Sequence, residues 1–262
     1  MCKVVIITGG SSGIGLETAR YLAQKNCIVY ECSRREHTED NIHHVRMDVT
    51  DSTGIDEAVR GIMEKEGRID VLINNAGFGI SGAIEFTDID DAKRLLDVNF
   101  YGMVRMTKAV LPYMRSQGFG RIVNISSVAA PIAIPFQAYY SVSKAAINAF
   151  SLALANEVRP FGIVVCGIMP GDIQSGFTSK REKIHWGDDV YGGRISKSVA
   201  VMEKDEQNGM NPKIAGRFIG NVALSNRNKV MYTLGVTYKA AVLIFKLLPT
   251  SLVNKIVGKL YA

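Results

Sequence analysis

Short apolar runs and longer amphipathic stretches take turns along most of this chain. The runs "KVVIITG" (3–9), "CIVYECS" (27–33), "HHVRMDV" (43–49), "IDVLINNAG" (69–77), "GRIVNISS" (120–127) and "GIVVCGIMPG" (162–171) have the length and β-branched content of strands. Between them, residues 14–25, 52–66, 88–117 and 138–158 repeat apolar positions every three or four residues with charges opposite, as in "GIDEAVRGIMEKEG". That spacing predicts helices, and a strand–helix alternation predicts βαβ units: an α/β fold with a parallel sheet covered on both faces. After Gly171 the rhythm stops. Residues 172–212 are polar and turn-rich, as in "SGFTSKREKIHWGDDVYGGR" and "MEKDEQNGMNP", which predicts a long loop of the kind that serves function. Residues 213–225 then read as a helix, 229–234 as a last strand, and 236–260 as one or two apolar-faced helical pieces broken at Pro249.

Nothing in this pattern isolates a second domain, and 262 residues suit one α/β unit. The expected division is a core at 1–171, a substrate loop at about 172–212, and a C-terminal helix, strand and apolar helical segment at 213–262. A net charge of +6 comes with no run of five basic residues, so nucleic acid is not an expected partner. A phosphorylated cofactor uses positive charge through local sites. Cys2, Cys27, Cys32 and Cys166 show neither a C-x-x-C pair nor histidines at zinc spacing, and His37, His43, His44 and His185 have no ligand spacing. No metal is expected. Reduced thiols and no recognisable signal peptide predict a cytoplasmic protein. The apolar stretch "AAVLIFKLLP" is interrupted by Lys246 and is too short to span a bilayer, which leaves peripheral contact through the C-terminal segment as the membrane role it could play.

In "VVIITGGSSGIGLETA", Gly9, Gly13 and Gly15 fall where a strand turns into a helix. There a chain without Cβ atoms can turn tightly, approach a pyrophosphate, and offer it free N–H groups and a positive dipole end. The next strand ends in Ser33-Arg34-Arg35, where a dinucleotide fold keeps an acidic residue for the ribose hydroxyls. An arginine there binds a 2′-phosphate, so NADP(H) is expected over NAD(H), with Glu31 as the argument for NAD(H).

With "TGGSSGIG" (8–15), "NNAG" (74–77), "VNFYG" (98–102), "NISS" (124–127), "YSVSK" (140–144) and "PGDIQS" (170–175), the chain resembles the classical short-chain dehydrogenase/reductase family. "GRIDVLINNAGFGISGAIE" and the terminal "YKAAVLIFKLLPTSLVNKI" look most like its 17β-hydroxysteroid dehydrogenase-like branch. The resemblance implies a Rossmann-type doubly wound parallel sheet of about seven strands. It implies a catalytic tetrad of Asn99, Ser127, Tyr140 and Lys144. For the cofactor it implies Gly9, Ser11, Ser12, Gly13, Ile14 and Gly15 at the phosphates and Ser33, Arg34, Asp48 and Val49 at the adenosine end. Asn75, Ala76 and Gly77 would pass beneath the cofactor, and Pro170, Gly171, Ile173 and Ser175 would hold the nicotinamide beside Tyr140 and Lys144. The family usually has Thr where this chain has Ser175, and the hydroxyl survives.

Tyr140 and Lys144 are four apart on a helix and therefore share a face. A phenol titrating near ~10 is poorly matched to proton transfer at neutral pH. Lowering it by two to three pKa units asks for about 3–4 kcal/mol from Lys144 and the cofactor's positive ring. Ser127 would hydrogen-bond the substrate oxygen. Ser126 competes for that role; strand alternation sends the neighbours to opposite faces, and the family's usual 13-residue separation from the tyrosine selects Ser127. Asn99 would support Lys144 through its backbone carbonyl and water, as the resemblance implies, and Tyr139 reads as packing or pocket wall.

The resemblance points to hydroxyl–ketone interconversion on an apolar, sterol-like substrate. The rivals are reduction of acyl-dihydroxyacetone phosphate or a 3-oxoacyl thioester, and NADP(H) binding without turnover. A pocket rich in Lys or Arg near 179–183 would favour the phosphate-bearing substrate, and purely apolar walls the sterol. Phe177, Trp186 and Tyr191 are expected to fold over the substrate as a lid hinged at glycines 176, 187, 192 and 193, or else to pin the loop to the core. Apolar residues on more than one face of the 88–117 and 138–158 helices predict a homodimer or homotetramer.

Overall fold

The computed structural model describes residues 2–261. In chain order the elements are β1 (Val4–Thr8), α1 (Gly13–Ala23), β2 (Ile28–Ser33), β3 (Ile42–Arg46), α2 (Ser52–Glu66), β4 (Val71–Asn74) and β5 (Ile80–Ser81). Then come α3 (Ile89–Leu96), a π-helical turn (Asp97–Tyr101), α4 (Gly102–Gln117), β6 (Gly120–Ile125), α5 (Ala138–Glu157) and β7 (Ile163–Pro170). The last part holds α6 (Phe177–Lys180), β8 (Glu182–Lys183), α7 (Arg194–Gln207), α8 (Pro212–Leu224), β9 (Met231–Leu234), α9 (Val236–Leu247) and α10 (Thr250–Tyr261).

Seven strands form one parallel sheet in the order β3-β2-β1-β4-β6-β7-β9. The order reverses between β1 and β4, the switch point at which such sheets open a crevice beyond their C-terminal strand ends. The strand β1 shows why its sequence reads as unbroken apolar residues. Val4 and Ile6 join one buried layer with Ile55, Val59 and Ile62 of α2 and Met106, Val110 and Met114 of α4. Val5 and Ile7 join the other, with Ala19 and Leu22 of α1 and Ile219, Val222 and Ala223 of α8. Alternate side chains thus feed two cores. Truncating Ile6 or Ile7 to Ala, both 0% exposed, would cost about 2–5 kcal/mol.

Helix ends follow local chemistry. The Asp51 side chain accepts from Thr53 N–H to cap α2, and Gly67 ends that helix at φ 69°. Asn211 caps α8 by accepting from Lys213 N–H, with Pro212 in the first turn.

One expectation is refined and one corrected. The helix expected over 88–117 runs without a gap from Ile89 to Gln117 and widens between α3 and α4 into the π turn at Asp97–Tyr101. The long loop expected over 172–212 instead contains α6, β8 and the 14-residue α7. Ile195, Val199 and Met202 of α7 stand at i, i+4 and i+7 and are buried. That narrow stripe is diluted by six charged residues in "RISKSVAVMEKDEQ", so the surrounding polarity hid it. The C-terminal apolar segment forms two helices, α9 and α10, on either side of Leu248 and Pro249. Among the described residues no helix is long and apolar enough to cross a membrane.

Candidate active site

A cleft of about 580 Å³ runs along the C-terminal ends of the strands. At one end the β1–α1 turn is laced to the segment after β4. Thr8 Oγ1 accepts from the N–H groups of Asn75 and Ala76, each at 3.0 Å, and Asn75 Nδ2 donates to the carbonyls of Thr8 and Gly9 at 3.0 Å. A Cβ on Gly15 would lie 2.4 Å from the Gly9 carbonyl oxygen, so that position admits only glycine. Gly13 differs: it has φ +57°, and a Cβ there would meet only Ser175, at 3.8 Å. The turn is therefore open to the cleft at Gly13 and closed beneath at Gly15. Ser12 precedes α1 without a side-chain cap, and the first turn of α1 carries no acidic residue. The positive end of α1 thus faces the cleft with Ser11, Ser12 and Ile14, and Lys180 reaches across to donate to Ser12 Oγ at 2.9 Å. This cradle fits a dinucleotide's phosphates.

Cys32, Ser33, Arg34, Arg35, Met47, Asp48 and Val49 line the neighbouring part of the cleft. The Arg34 guanidinium is 74% exposed and stands 3.8 Å from Asp48, whose Oδ1 accepts from Thr50 N–H and Oγ1 at 2.9 and 2.8 Å. Glu31 is elsewhere. Its side chain is fully buried, 2.6 Å from His44 Nδ1, and a Cβ on Gly10 would touch its Cγ at 2.6 Å. It lies under the glycine turn and is absent from the cleft lining, which removes it as an argument for NAD(H).

At the other end, α5 brings Tyr140 and Lys144 onto one face against the end of β6. Ser127 and Tyr140 both line the cleft, and Ser127 Oγ accepts from Ala129 N–H at 3.1 Å. Ser126 is spent elsewhere: it is 2% exposed and donates to the Lys144 carbonyl at 3.0 Å. Lys144 Nζ donates to the Ile125 carbonyl at 2.9 Å and stands 5.5 Å from the centre of the Tyr140 ring. Asn99 sits in the π turn, 1% exposed. Its Oδ1 accepts from Phe78 N–H at 2.9 Å, and its Nδ2 donates to the Phe78 carbonyl at 2.9 Å and to Ser143 Oγ at 3.2 Å. Ser143 in turn donates to the Tyr140 carbonyl at 2.7 Å. The widened turn thus clamps the segment after β4 to α5 behind Tyr140 and Lys144. Tyr139 is half-buried and does not line the cleft.

The expected lowering of the Tyr140 phenol draws on Lys144 and the cofactor's positive ring, and burial opposes it. Burial pushes the phenol up to about 12; Ser127 and Arg181 pull against that, while Glu206 and Asp172 add to it. Desolvation lowers the Lys144 ammonium from 10.5 to about 8.

Beyond Tyr140 the cleft has apolar walls of Phe78, Val98, Val128, Ala129, Ile134 and Phe177. The Phe177 ring lies 5.6 Å from that of Tyr140. Asp172 and Glu206 also face this space. Asp172 accepts from Tyr238 OH of α9, and Glu206 of α7 pairs with the buried Arg181 and accepts from Thr178 Oγ1 at 2.6 Å. Sequence spacing gave no signal for Glu206, Arg181 or Tyr238, because the contacts that bring them together span 25 to 66 residues. The three-aromatic lid is also corrected. Trp186 is 80% exposed and lines a separate open cleft with Phe86, Asp88 and Ile184. Tyr191 packs edge-on against Phe86 and Phe136 at 6.2 and 5.7 Å, which pins its loop. Of the three, Phe177 alone lines the cleft that holds Tyr140. No group of three or more metal-ligating side chains occurs among the described residues.

A family model for the short chain dehydrogenases matches residues 3–185. The chain belongs to that family and is one of its oxidoreductases. It is 44% identical over 222 residues to a 3-ketodihydrosphingosine reductase from Bacteroides thetaiotaomicron, covering 83% of this chain and 82% of that one. Among solved structures it resembles a short-chain dehydrogenase from Streptomyces avermitilis, with TM-score 0.85 and 28% identity over 98% of this chain and 95% of that one. It also resembles ElxO with NADP bound, with TM-score 0.76 and 26% identity over 92% of this chain and 100% of that one.

Proposed function

We propose that this protein is an NADPH-dependent reductase of a ketone carried on a long apolar chain with a small polar head, of the 3-ketodihydrosphingosine kind. The observation that carries the reading is the convergence of Ser127, Tyr140 and Lys144 in a cleft with apolar walls, near which Arg94, Arg181 and Lys180 are already engaged. Arg94 is held by Glu182, Arg181 by Glu206, and Lys180 reaches toward the phosphate end at Ser12. Asp172 and Glu206 are carboxylates lining the same cleft, which disfavours a phosphate-bearing ketone and suits a hydroxyl- or amine-bearing one. The reductase from Bacteroides thetaiotaomicron supports the same substrate class by likeness. A steroid ketone remains the second reading on the strength of the apolar walls.

In the proposed mechanism Ser127 Oγ and Tyr140 OH hold the substrate's carbonyl oxygen between them. Bound NADPH, on the glycine turn with Arg34 at its 2′-phosphate, would supply the hydride. As negative charge develops on that oxygen, Tyr140 gives it a proton. A phenol near 12 stays fully protonated at neutral pH, so the resting state is set for reduction. The Lys144 ammonium, fixed by the Ile125 carbonyl, stabilises the phenolate left behind. Asn99 keeps the backbone of Phe78 and the α5 turn in register beneath these groups. The test is turnover with NADPH on a panel of 3-ketodihydrosphingosine, a steroid ketone, acyl-dihydroxyacetone phosphate and a glyceraldehyde-sized carbonyl. Efficiency should be highest on the first by at least about tenfold, as several extra buried methylenes at ~0.8 kcal/mol each allow. Equal turnover of the smallest carbonyl would refute the reading.

A further inference from the structure

The cleft's outer wall turns an unusual face to solvent. Along α9, Val236, Ala240, Leu243 and Leu247 recur at i, i+4, i+7 and i+11, which is one stripe down the helix. Val236, Leu243 and Leu247 are 82%, 60% and 78% exposed, and Ile244 widens the stripe at 51%. The opposite side of α9 faces the protein: Val242 is buried, and Tyr238 donates to Asp172 while its ring occupies the space a Cβ on Gly171 would need. In α10, Leu252 and Leu260 are exposed as well. Lys239 and Lys246, seven apart, run along one flank of the α9 stripe, and Lys255 and Lys259 are exposed on α10. From Val236 to Tyr261 there are four lysines and no acidic residue.

We propose that α9 and α10 form a docking site for bilayers that carry anionic phospholipids, with α9 lying in the plane of the surface. Charge chooses this occupant. A second copy set face to face would bring the lysines of both copies together with no carboxylate from either helix pair to meet them, whereas an anionic headgroup layer complements them while the leucines enter the acyl boundary. Lysine stems can lie along that boundary with their ammonium groups among the headgroups. At 12 residues and ~1.5 Å per residue, α9 is far too short to span, so it lies on the surface. Its inner face carries Tyr238 at Asp172, so docking sets the rim of the catalytic cleft against the membrane. The inference rests on the helix surface and not on the identity of the ketone.

The test is flotation of the full chain with vesicles of phosphatidylcholine alone and with about a third of the lipid as phosphatidylglycerol. The anionic vesicles should bind at least about tenfold more tightly, less so as salt is raised. Lys239→Gln with Lys246→Gln should weaken that binding by about 25-fold, since each lysine near such a surface contributes about fivefold. Leu243→Ser with Leu247→Ser should abolish it. Both variants should keep wild-type NADPH turnover on a short, water-soluble ketone, which separates failure of docking from failure of the chemistry. Equal binding to both vesicle types, or none, overturns the proposal. So does a light-scattering result in which the leucine variant falls to a lower oligomer while its vesicle binding is unchanged.

Discussion

Replacing Lys144 by Met separates what this side chain does for stability from what it does for chemistry. Lys144 is 5% exposed, and burial lowers its ammonium from 10.5 to about 8. Between those values the unfolded chain binds the proton more tightly than the folded one, so folding stability contributed by this group rises with pH from about 8 to 10.5. At pH 7 the depressed ammonium costs about 3 kcal/mol. Met retains an apolar stem without the charge, but it strips the Ile125 carbonyl of its donor, at a cost of about 1–2 kcal/mol. The variant should therefore be more stable than the natural protein by about 1–2 kcal/mol at pH 7, a rise in Tm of roughly 2–6 °C. That advantage should shrink through pH ~9 and reverse by pH ~10.5. Turnover should move the other way. A charge 5.5 Å from the Tyr140 ring, at an effective dielectric constant of about 20, is worth about 3 kcal/mol to the phenolate, or about 100-fold in rate. The assay is thermal unfolding of both proteins from about pH 6 to 10.5, paired with ketone reduction at pH 7. A variant that is less stable at pH 7 by an amount that does not change with pH would refute the reasoning.

Tyr140→Phe should leave NADPH binding within about twofold and reduce turnover by roughly 10²–10⁴-fold; retention of a tenth of wild-type turnover would remove Tyr140 as the proton donor. Arg34→Ala should weaken NADPH by about 1.5–3 kcal/mol in a fluorescence titration and barely change NADH, and equal losses would exclude a 2′-phosphate role. With NADPH saturating, ketone reduction should decline above a pH near 8 as Lys144 loses its proton, and a profile flat to pH ~10 would contradict that. Phe177→Ala should lower efficiency on large ketones more than on small ones, whereas Trp186→Ala should be nearly neutral; the opposite ranking would restore Trp186 as a lid. Exposed Tyr101, Val142 and Leu152 on the α4 and α5 side suit a homodimer, and a monomer by light scattering at micromolar concentration would exclude it.

The sheet was legible because its strands are buried on both faces and read as apolar runs between amphipathic helices. That Tyr140 and Lys144 share a face was legible from their helix spacing, whereas Ser127 and Asn99 were named through the family resemblance. Two kinds of feature escaped. One is α7, whose three-residue stripe lies inside a strongly charged sequence. The other is everything set by solvent exclusion: Glu31 looks available at a strand tip but is buried under Gly10, and Tyr140 is pushed up although a lysine is its neighbour. Burial of that kind depends on which distant segments cover a residue. Phe177, Arg181 and Glu206 reach the site from residues 172–212, where periodicity gave no guide to how the chain returns.

The closeness of α1 and α8 bears on how the protein is made. Gly216 and Gly220 let α8 approach so tightly that a Cβ on either would strike the backbone of Glu17 or the ring of Tyr21. Ala19 and Leu22 of α1 are sealed by Ile219 and Val222 of α8. The helix that opens the phosphate cradle leaves the ribosome well before α8, and its outer face stays uncovered until some two hundred further residues have followed. A nascent chain halted before α8 should therefore carry every glycine of the turn and still fail to retain a dinucleotide. Competence at the N-terminal end is conferred by synthesis of the C-terminal end.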